Sequence, residues 1–139
     1  MTTSTLPDWA LEHMNRYLET DGEDGHIWRG VPTLLLTTTG RSSGEARMLP
    51  LIYGKDGEDH SVVASKGGHA DHPAWFLNLQ ANSSVSVQVA ADKFDATAEV
   101  VEGQDRSRIW GAMEEIWPPY TEYQEKTDRS IPIVRLRRC

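Results

Sequence analysis

Cysteine, long hydrophobic runs and positive charge are all scarce in this sequence, and each scarcity excludes a class of protein. The 139 residues contain one cysteine, Cys139, so no disulfide can form within the chain and no cysteine-based metal site can be built. The longest apolar run, around Leu34–Leu36, is far shorter than the roughly 20 residues that span a bilayer. The N-terminus has no basic segment followed by an apolar stretch, so the sequence predicts no secretory signal and a cytoplasmic protein.

The charge balance and the missing motifs narrow the function further. Lys and Arg number 14 against 21 Asp and Glu, which gives a formal net charge of -7. Nucleic acid is therefore not expected as a partner, because phosphate backbones are held mainly by Lys and Arg. The chain has no GxGxxG after a predicted strand and no GxxxxGK[ST], so the usual dinucleotide and nucleotide-triphosphate signatures are absent.

Hydrophobic periodicity predicts an α+β protein made mostly of antiparallel strands, in one domain over residues 1–139. Residues 7–20 are expected to form an N-terminal helix with Ala10, Met14, Tyr17 and Leu18 on one face, followed by a polar linker up to residue 29. Strands are expected at 32–39, 48–53, 61–65, 85–90, 94–101 and 131–136, and further helices at 72–79, 105–117 and 121–127. Residues 54–59, GKDGED, are typical of a hairpin turn. Strands joined as hairpins predict an antiparallel barrel packed by a few helices.

Residues 37–47, TTTGRSSGEAR, form an unusual segment for an acidic chain. A turn rich in Gly and Ser can point successive backbone N–H groups at one anion. Ser42 and Ser43 add hydroxyl donors, and Arg41 and Arg47 add forked donors that suit phosphate or carboxylate. Taken alone, the segment fits an ordinary solvated turn better, because these residue types are common in turns.

A second glycine-rich segment, SKGGHADHPAW at residues 65–75, lies between a predicted strand and a predicted helix. Its two glycines permit close backbone approach to a ligand, Lys66 supplies a cation, and the helix N-terminus is an anion site. His69 and His72 have an HxxH spacing, but the only third ligand nearby is Asp71, so no metal site is expected. Most of the apolar residues that follow are typical of core packing.

Three aromatic residues surround a double proline in IWPPYTEYQ, residues 116–124. Trp117, Tyr120 and Tyr123 recur at every third position. Rigid, amphipathic rings suit the wall of a pocket for a flat aromatic ligand, and they suit packing over the end of a barrel equally well. The pattern leaves both interpretations open.

The sequence closely resembles the deazaflavin-dependent nitroreductases, also called F420H2-dependent quinone reductases, of mycobacteria and other actinobacteria. The matching segments, in order, are LLLTTTGRSSG, PLIYG, VVASKGGHADHPAWFLNL, IWPPYTEYQ and TDRSIPIV. The resemblance covers nearly the whole chain from about Gly30. It implies a split β-barrel that holds coenzyme F420, a flavin analogue whose tail carries a phosphate and an oligoglutamate. Such an anionic tail would explain the arginines and hydroxyls of TTTGRSSGEAR.

The resemblance also implies which residues meet the coenzyme. Arg41, Ser42, Ser43 and Arg47 fall on the family's tail-binding positions. The other expected contacts are Met48, Leu49, Pro50, Leu51, Val63, Ala64, Ser65, Lys66, Ala74, Trp75, Phe76, Leu77, Asn78 and Tyr120. Ser42 stands where many relatives have Lys or Arg, which predicts a weaker hold on the tail.

The implied reaction is hydride transfer from reduced F420 to an electron-poor acceptor: a quinone, a nitroaromatic, or an α,β-unsaturated lactone or enone. Trp117, Tyr120 and Tyr123 match the family's aromatic wall beside the ring and the substrate. Tyr120 and Ser65 are the candidates for polarising the acceptor, with Tyr123 the weaker one. Trp117 replaces a tyrosine of nitroreductase members, and the loss of that phenol counts against activity on nitroimidazole prodrugs.

Two other readings stay open at this point: an FMN- or heme-binding split-barrel protein, and a non-catalytic carrier of a deazaflavin or a lipid. Three cations, Arg41, Arg47 and Lys66, favour a long acidic tail over a single phosphate. The expected partner is a small-molecule acceptor, and the chain is expected to be a monomer or a homodimer. The acidic N-terminal helix, which lacks a lysine-rich face, disfavours membrane association.

Overall fold

The computed structural model describes residues 7–68 and 70–139, and its strands form one antiparallel sheet with four helices packed around it. The first half of the chain contains α1 (Asp8–Glu19), β1 (Ile27–Trp28), β2 (Val31–Thr39), β3 (Ala46–Ile52), β4 (Gly54–Asp56) and β5 (Asp59–Val63). A single helical turn, Lys66–Gly68, follows β5. The second half contains α2 (Ala74–Ala81), β6 (Ser84–Val89), β7 (Asp92–Val101), α3 (Gly103–Ile116), α4 (Pro119–Glu125) and β8 (Ile133–Arg138).

The sheet curls into a barrel that is split along one line. Its strand order is β1-β2-β6-β7-β8-β5-β4, and β3 pairs with β2. Only Tyr53 separates β3 from β4, so one stretch of chain leaves β2 and joins β5: Thr33 pairs with Ile52, and Gly54 pairs with Ser61. β3 and β5 are not paired with each other, and the barrel is split between them. The expected α+β fold with a mostly antiparallel split β-barrel is confirmed.

β2 is buried on both faces, which explains its almost continuous apolar sequence. Leu34 and Leu36 point into the barrel core, while Leu35 points outward and is covered by Met14 and Tyr17 of α1. The Tyr17 hydroxyl donates to the Thr33 carbonyl at 3.0 Å and accepts a hydrogen bond from the Ala90 amide at 2.7 Å. Helix α1 is therefore fixed against the barrel by both packing and hydrogen bonds.

A second core holds α3 and α4 against the barrel. Ile109 and Met113 of α3 pack with Tyr120 of α4 and with Ile131 and Ile133 near the start of β8. All five side chains are at least 95% buried. This core fixes the position of α4 beside the end of β5, where the barrel is split.

The arginines of the C-terminal strand form ion pairs with carboxylates on β4 and β7. Arg135 contacts Asp56 at 3.3 Å and Glu99 at 3.0 Å, and Arg138 contacts Asp92 at 2.8 Å. These pairs give the basic end of the sequence a structural role.

Several local expectations were wrong. β1 and β4 were not expected, because Ile27–Trp28 lies in a glycine-rich segment and Gly54–Asp56 has no apolar alternation. The GKDGED stretch contributes β4 and the start of β5 as well as the turn between them. β3 begins two residues earlier than expected, which places Arg47 on the strand. Leu18 was expected on the packed face of α1, but it is 39% exposed.

Candidate functional site

A groove of about 1030 Å³ runs along the split between β3 and β5. β3 forms one side through Arg47, Met48, Leu49, Pro50, Leu51 and Ile52. The other side comes from Val63, Ser65 and Lys66 at the end of β5 and from Ala74, Trp75 and Asn78 on α2. Its volume is at the upper end of the range for ligand pockets, which suits a large cofactor together with a small substrate.

The groove lining is positively charged, and two of its cations, Arg41 and Arg47, lie at the end formed by the turn between β2 and β3. Among the described residues that line it there are three Lys or Arg cations, Arg41, Arg47 and Lys66, and no Asp or Glu. The whole chain has 21 Asp and Glu, so the exclusion of carboxylates from this surface is notable. Ser42, Ser43 and the Gly40 backbone complete this end. Such a surface is suited to binding an anion.

Arg41 also connects the turn after β2 to α2. Its guanidinium Nη1 donates to the Asn78 side-chain oxygen at 2.8 Å and to the Ala74 carbonyl at 3.4 Å. The Arg41 amide donates to the same Asn78 oxygen at 3.2 Å, and Asn78 in turn donates to Thr38. The basic end is thus held in place by its own side chains.

The GRSSG turn has the GxSxG spacing of hydrolase nucleophile elbows. In those enzymes the serine lies on a sharp turn from a strand to a helix. Here the turn joins β2 to β3 in a hairpin, with the Gly44 amide bonded to the Gly40 carbonyl. Ser42 therefore lacks the elbow geometry, and its hydroxyl is available for ligand binding.

The segment that follows β5, residues 64–68, brings backbone and polar groups to the groove, and we call this segment the floor. Lys66 has a left-handed backbone conformation (φ +47°), and Gly68 has φ +82°. A Cβ atom at Gly68 would lie 2.6 Å from the carbonyl oxygen of Tyr123. Only glycine lets this turn approach the backbone of α4 so closely. The floor and the α4 wall are therefore in direct contact.

The other end of the groove is lined by aromatic rings. Trp28 stacks on Trp9 with centroids 5.7 Å apart and lies 5.8 Å from Trp117. The Trp117 indole N–H donates to the Tyr123 hydroxyl at 3.4 Å, and the Tyr120 and Tyr123 rings meet edge to face at 6.1 Å. Flat, electron-poor molecules bind well to such surfaces.

Tyr120 is the most buried of these aromatic residues, at 5% exposure. Burial raises the pKa of its phenol well above the ordinary value of 10.0, so the hydroxyl keeps its proton at neutral pH. Within residues 7–68 and 70–139 no group forms a hydrogen bond with this hydroxyl. It can therefore donate to a molecule in the groove.

Comparison with known proteins shows the family. The family model for F420H2-dependent quinone reductases matches residues 9–137. The chain belongs to the F420H2-dependent quinone reductase family. It is an oxidoreductase, and its cofactor is reduced coenzyme F420.

Individual relatives agree with this assignment. An F420H2-dependent quinone reductase of Mycobacterium tuberculosis (strain ATCC 25618 / H37Rv) is 40% identical over 126 residues, which cover 88% of this chain and 85% of the relative. A solved F420-H2 dependent reductase is 43% identical with a TM-score of 0.71, over 80% of this chain and 97% of the other. A structure described as a domain-swapped dimer is 42% identical with a TM-score of 0.74, over 93% and 97% of the two chains.

The groove of this F420H2-dependent reductase fits its cofactor. The tail of F420 is anionic, and the basic end supplies cations and hydroxyls without a carboxylate. The deazaflavin ring is flat, and it matches the apolar side chains of β3 and the aromatic end. The residues present would therefore hold the tail at Arg41, Ser42, Ser43, Arg47 and Lys66.

The structure brings most of the expected site residues together at this groove. The groove-lining members are Arg41, Ser42, Ser43, Arg47, Met48, Leu49, Pro50, Leu51, Val63, Ser65, Lys66, Ala74, Trp75, Asn78, Trp117, Tyr120 and Tyr123. The groove lining does not include Ala64, Phe76 or Leu77. Ala64 alternates with Val63 along the chain and points into the barrel core, and Phe76 points into the same core from α2.

Other groove residues were not foreseen from the sequence. Trp9, His13 and Trp28 come from α1 and β1, which were assigned to packing or to a linker. Trp28 could have been noticed as a tryptophan in a polar, glycine-rich stretch. Arg129 is not a lining residue but lies directly behind the groove floor, and it belongs to the matching segment TDRSIPIV, in which no residue was given a role.

The remaining observations concern metals and membranes. Among the described residues, no group of three His, Cys, Asp or Glu side chains could hold a metal ion. His69, one half of the HxxH pair, lies outside the described residues. No helix in the described part of the chain has both the length and the hydropathy needed to cross a membrane.

Proposed function

We propose that the protein passes hydride from reduced F420 to a quinone bound at the aromatic end of the groove. Nitroaromatics and α,β-unsaturated lactones or enones are the further acceptor classes. The observation that carries this proposal is the Tyr120 hydroxyl. This hydroxyl is protonated and has no hydrogen-bond partner among the described residues. Tyr120 lines the groove together with the contacting rings of Trp28 and Trp117.

The chemistry requires a donor at this position. Reduced F420, when bound, supplies a hydride as a two-electron donor. Negative charge then develops on the acceptor oxygen, and a preorganised O–H donor in a partly dry site stabilises it. Tyr120 supplies that donor, and Trp28 and Trp117 orient the flat acceptor by stacking. The final proton of the product comes from water.

Ser65 and Tyr123 take supporting roles in the proposal. Ser65 lines the groove at the end of β5, on the floor beneath the α4 wall, and its hydroxyl is a second candidate donor. The Tyr123 hydroxyl already accepts the Trp117 indole N–H, which orients it within the wall. Tyr123 is therefore the weaker catalytic candidate.

A steady-state assay tests the proposal. Purified protein, reduced F420 and a soluble quinone are mixed, and the recovery of the oxidised coenzyme's fluorescence is followed. Saturable turnover with the quinone is expected, and FMN is not expected to replace F420. Binding of F420 without turnover on any acceptor class would leave a non-catalytic carrier instead.

Replacing Tyr120 by Phe is the sharpest single change. The ring contacts with Trp110 and Tyr123 remain, so the fold is kept while the hydroxyl is lost. We expect kcat to fall by about 100-fold, the usual effect of removing one donor to a developing oxyanion. Tyr123→Phe is the matched control, and its effect should be smaller. Wild-type turnover of Tyr120→Phe on every acceptor would remove Tyr120 from this role.

The acceptor range and the assembly state complete the proposal. The Trp117 indole fills space where a phenol would offer a second donor, so quinones are expected to be better acceptors than nitroimidazoles. We also infer a monomer or a homodimer. The relative described as a domain-swapped dimer supports the second. Light scattering over a range of protein concentrations decides between the two.

A further inference from the structure

Arg129 donates several hydrogen bonds directly behind the floor of the groove. It lies in the loop between α4 and β8, and it is half-buried. Its guanidinium donates to the Ala64 carbonyl at 3.1 Å and to the Ser65 carbonyl at 2.8 Å. It also donates to Nδ1 of His72 at 3.1 Å. Arg129 is absent from the groove lining, so it would act through other residues.

The two carbonyls belong to the segment that delivers Ser65 and Lys66 to the groove. Ladder pairing of β5 with β8 ends at Val63, which pairs with Ile133. The next amide, Ala64, is bonded to the Pro132 carbonyl. Beyond it the chain turns sharply, because Lys66 is in the left-handed region. Arg129 thus holds the backbone at the point where regular strand pairing stops.

The third contact and the Arg129 backbone extend the network to both walls. His72 stands just before α2, and its ring packs on Phe76 at 4.8 Å. The Arg129 carbonyl accepts a hydrogen bond from the Gln124 side chain of α4 at 2.7 Å. α4 carries Tyr120 and Tyr123, and α2 carries Trp75 and Asn78. Arg129 therefore links the floor to both neighbouring helices, through its guanidinium toward the start of α2 and through its backbone carbonyl toward α4.

The chemistry of the contacts favours arginine specifically. A guanidinium presents five N–H donors in a rigid planar fork, whereas an ammonium is a compact point charge. Here two separate nitrogens serve two successive carbonyls, and one of them also reaches the His72 ring. Burial and the Arg129 charge lower the pKa of His72, and Asp71 opposes them only in part, in keeping with an unprotonated Nδ1 that accepts from Arg129.

We propose that Arg129 is a positioning residue for the reduction, which fixes the Ala64–Ser65 backbone so that the Ser65 hydroxyl and Lys66 face the groove opposite Tyr120. The proposal rests on the proposed roles of Ser65 and Tyr120. Without the Arg129 guanidinium, the Ala64–Ser65 backbone shifts, and the distance and orientation between cofactor and acceptor change. Misplacement of about 1 Å can cost on the order of 100-fold in rate.

Arg106 provides a matched control in the same part of the fold. Its guanidinium also donates to a backbone carbonyl of the α4–β8 segment, that of Ile131 at 2.7 Å, and it stacks over Trp110. Arg106 is half-buried like Arg129, but it does not line the groove and forms no hydrogen bond with the Ala64–Lys66 segment. Loss of Arg106 should therefore reduce stability without disturbing the floor.

The test compares Arg129→Ala, Arg129→Lys and Arg106→Ala by three measurements: melting temperature, the Kd for oxidised F420 from its fluorescence, and kcat at saturating quinone. We expect Arg129→Ala to lower kcat at least tenfold and to weaken F420 binding several-fold. Added guanidinium chloride at low, non-denaturing concentration should restore much of the kcat, whereas methylammonium chloride at equal ionic strength should not. Arg129→Lys should stay close to Arg129→Ala, and Arg106→Ala should keep the wild-type kcat and Kd.

The outcomes separate this proposal from the proposed function. Wild-type kcat and Kd in a folded Arg129→Ala would overturn it, as would equal losses in Arg106→Ala. If Arg129→Ala does not fold, Arg129→Lys decides, and a kcat and Kd within twofold of the wild type would overturn the proposal. If the wild type itself reduces no quinone, the proposed acceptor is wrong. In that case the Kd for F420, measured with and without added guanidinium chloride, still reports on Arg129, and guanidinium should restore part of the affinity.

Discussion

At the residue scale, Arg41 is both part of the basic end of the groove and a connector to α2. Its guanidinium holds Asn78 and the Ala74 carbonyl, so its charge is delivered in a fixed direction. A preorganised cation loses less conformational entropy on binding than a mobile one. Arg41 is therefore expected to contribute more to F420 affinity than an exposed arginine elsewhere.

Replacing Arg41 by Ala should raise the Kd for F420 by about tenfold, because a charge-assisted contact and its support are both lost. Arg41→Lys should recover only part of the affinity, since an ammonium cannot reproduce the fork. Titration of the purified protein with oxidised F420, followed by coenzyme fluorescence, measures both. Arg16→Ala removes an exposed arginine paired with Glu12 on α1 and serves as the control. Equal effects at the two sites would contradict the assigned role of Arg41.

His60 is a buried titratable residue outside the groove. It is 7% exposed, its ring lies 5.2 Å from Tyr53 and 5.6 Å from Phe94, and its Nδ1 has no partner among the described residues. Burial lowers its pKa below the ordinary 6.5, helped by Lys55 and Arg138 and opposed by Asp59 and Asp92. The unfolded chain therefore binds this proton at higher pH than the folded chain does.

The free energy of unfolding should consequently fall as the pH drops below about 6.5, because each unit of pKa difference is worth about 1.4 kcal/mol. Chemical denaturation at a series of pH values between 8 and 5 measures this slope. His60→Asn keeps a polar side chain of similar shape but cannot titrate, so its slope should be shallower. The pKa of His72 is lowered as well, so part of the slope should remain. An unchanged slope in His60→Asn would contradict the prediction.

At the element scale, the packing of the Lys66–Gly68 turn on α4 couples the floor of the groove to its aromatic wall. Gly68 allows this contact because a Cβ atom there would lie 2.6 Å from the Tyr123 carbonyl oxygen and 2.9 Å from its Cα. Both of those atoms are backbone, so neither can move aside by a rotamer change. The position of α4 therefore depends on the absence of one side chain.

Gly68→Ala is expected to move α4 away from the floor and to lower kcat/KM by at least tenfold. Gly57→Ala is the control: Gly57 also has a positive φ, +64°, but a Cβ there meets nothing within 4 Å. Both variants should lose roughly 1 kcal/mol from backbone strain, and only Gly68→Ala should lose the additional packing energy and the activity. Steady-state kinetics and denaturant unfolding of the two variants check this. Equal kinetics would show that α4 tolerates the displacement.

At the scale of the whole molecule, a chain of net charge -7 binds an anionic coenzyme. We propose that the groove resolves this conflict: its cations would contact the tail directly, and none of the described residues that line it is Asp or Glu. Charges more than about 10 Å apart are largely screened at 0.1 M salt. Short-range attraction at Arg41, Arg47 and Lys66 would therefore outweigh the overall repulsion.

The affinity for F420 should fall several-fold between roughly 0.1 and 0.5 M NaCl, as the attraction to the tail is screened. A deazaflavin without the phosphate and oligoglutamate should bind more weakly, and its Kd should change little over the same range. Fluorescence titrations with the two ligands give the comparison. Equal salt dependence would place the tail away from the basic end.

The sequence was informative where a pattern is set by the chain itself. Alternation of Val85 and Val87 with polar residues located β6, and the resemblance of five segments led to the family and the cofactor. Short elements such as β1 were missed because two residues cannot show a period. Adjacent residues of a strand point to opposite faces, and the sequence does not show which face borders the groove. Val63 and Ala64 were therefore both expected to contact the coenzyme, but Val63 lines the groove and Ala64 points into the core. Arg129 was missed for a similar reason, since its partners are carbonyls 64 and 65 residues away.

The continuity of β3 and β4 has a consequence for engineering. The two strands that border the groove are held by main-chain hydrogen bonds: β3 pairs with β2, and β5 pairs with β8. The width of the groove is therefore set by the backbone pairing of the strands. The side chains at positions 48–52 line the groove but do not determine its width. Libraries of substitutions at those positions would therefore change the side chains that line the groove while its width stays the same. Altering the span would require lengthening or shortening the chain around Tyr53, where the strand passes from one partner to the other.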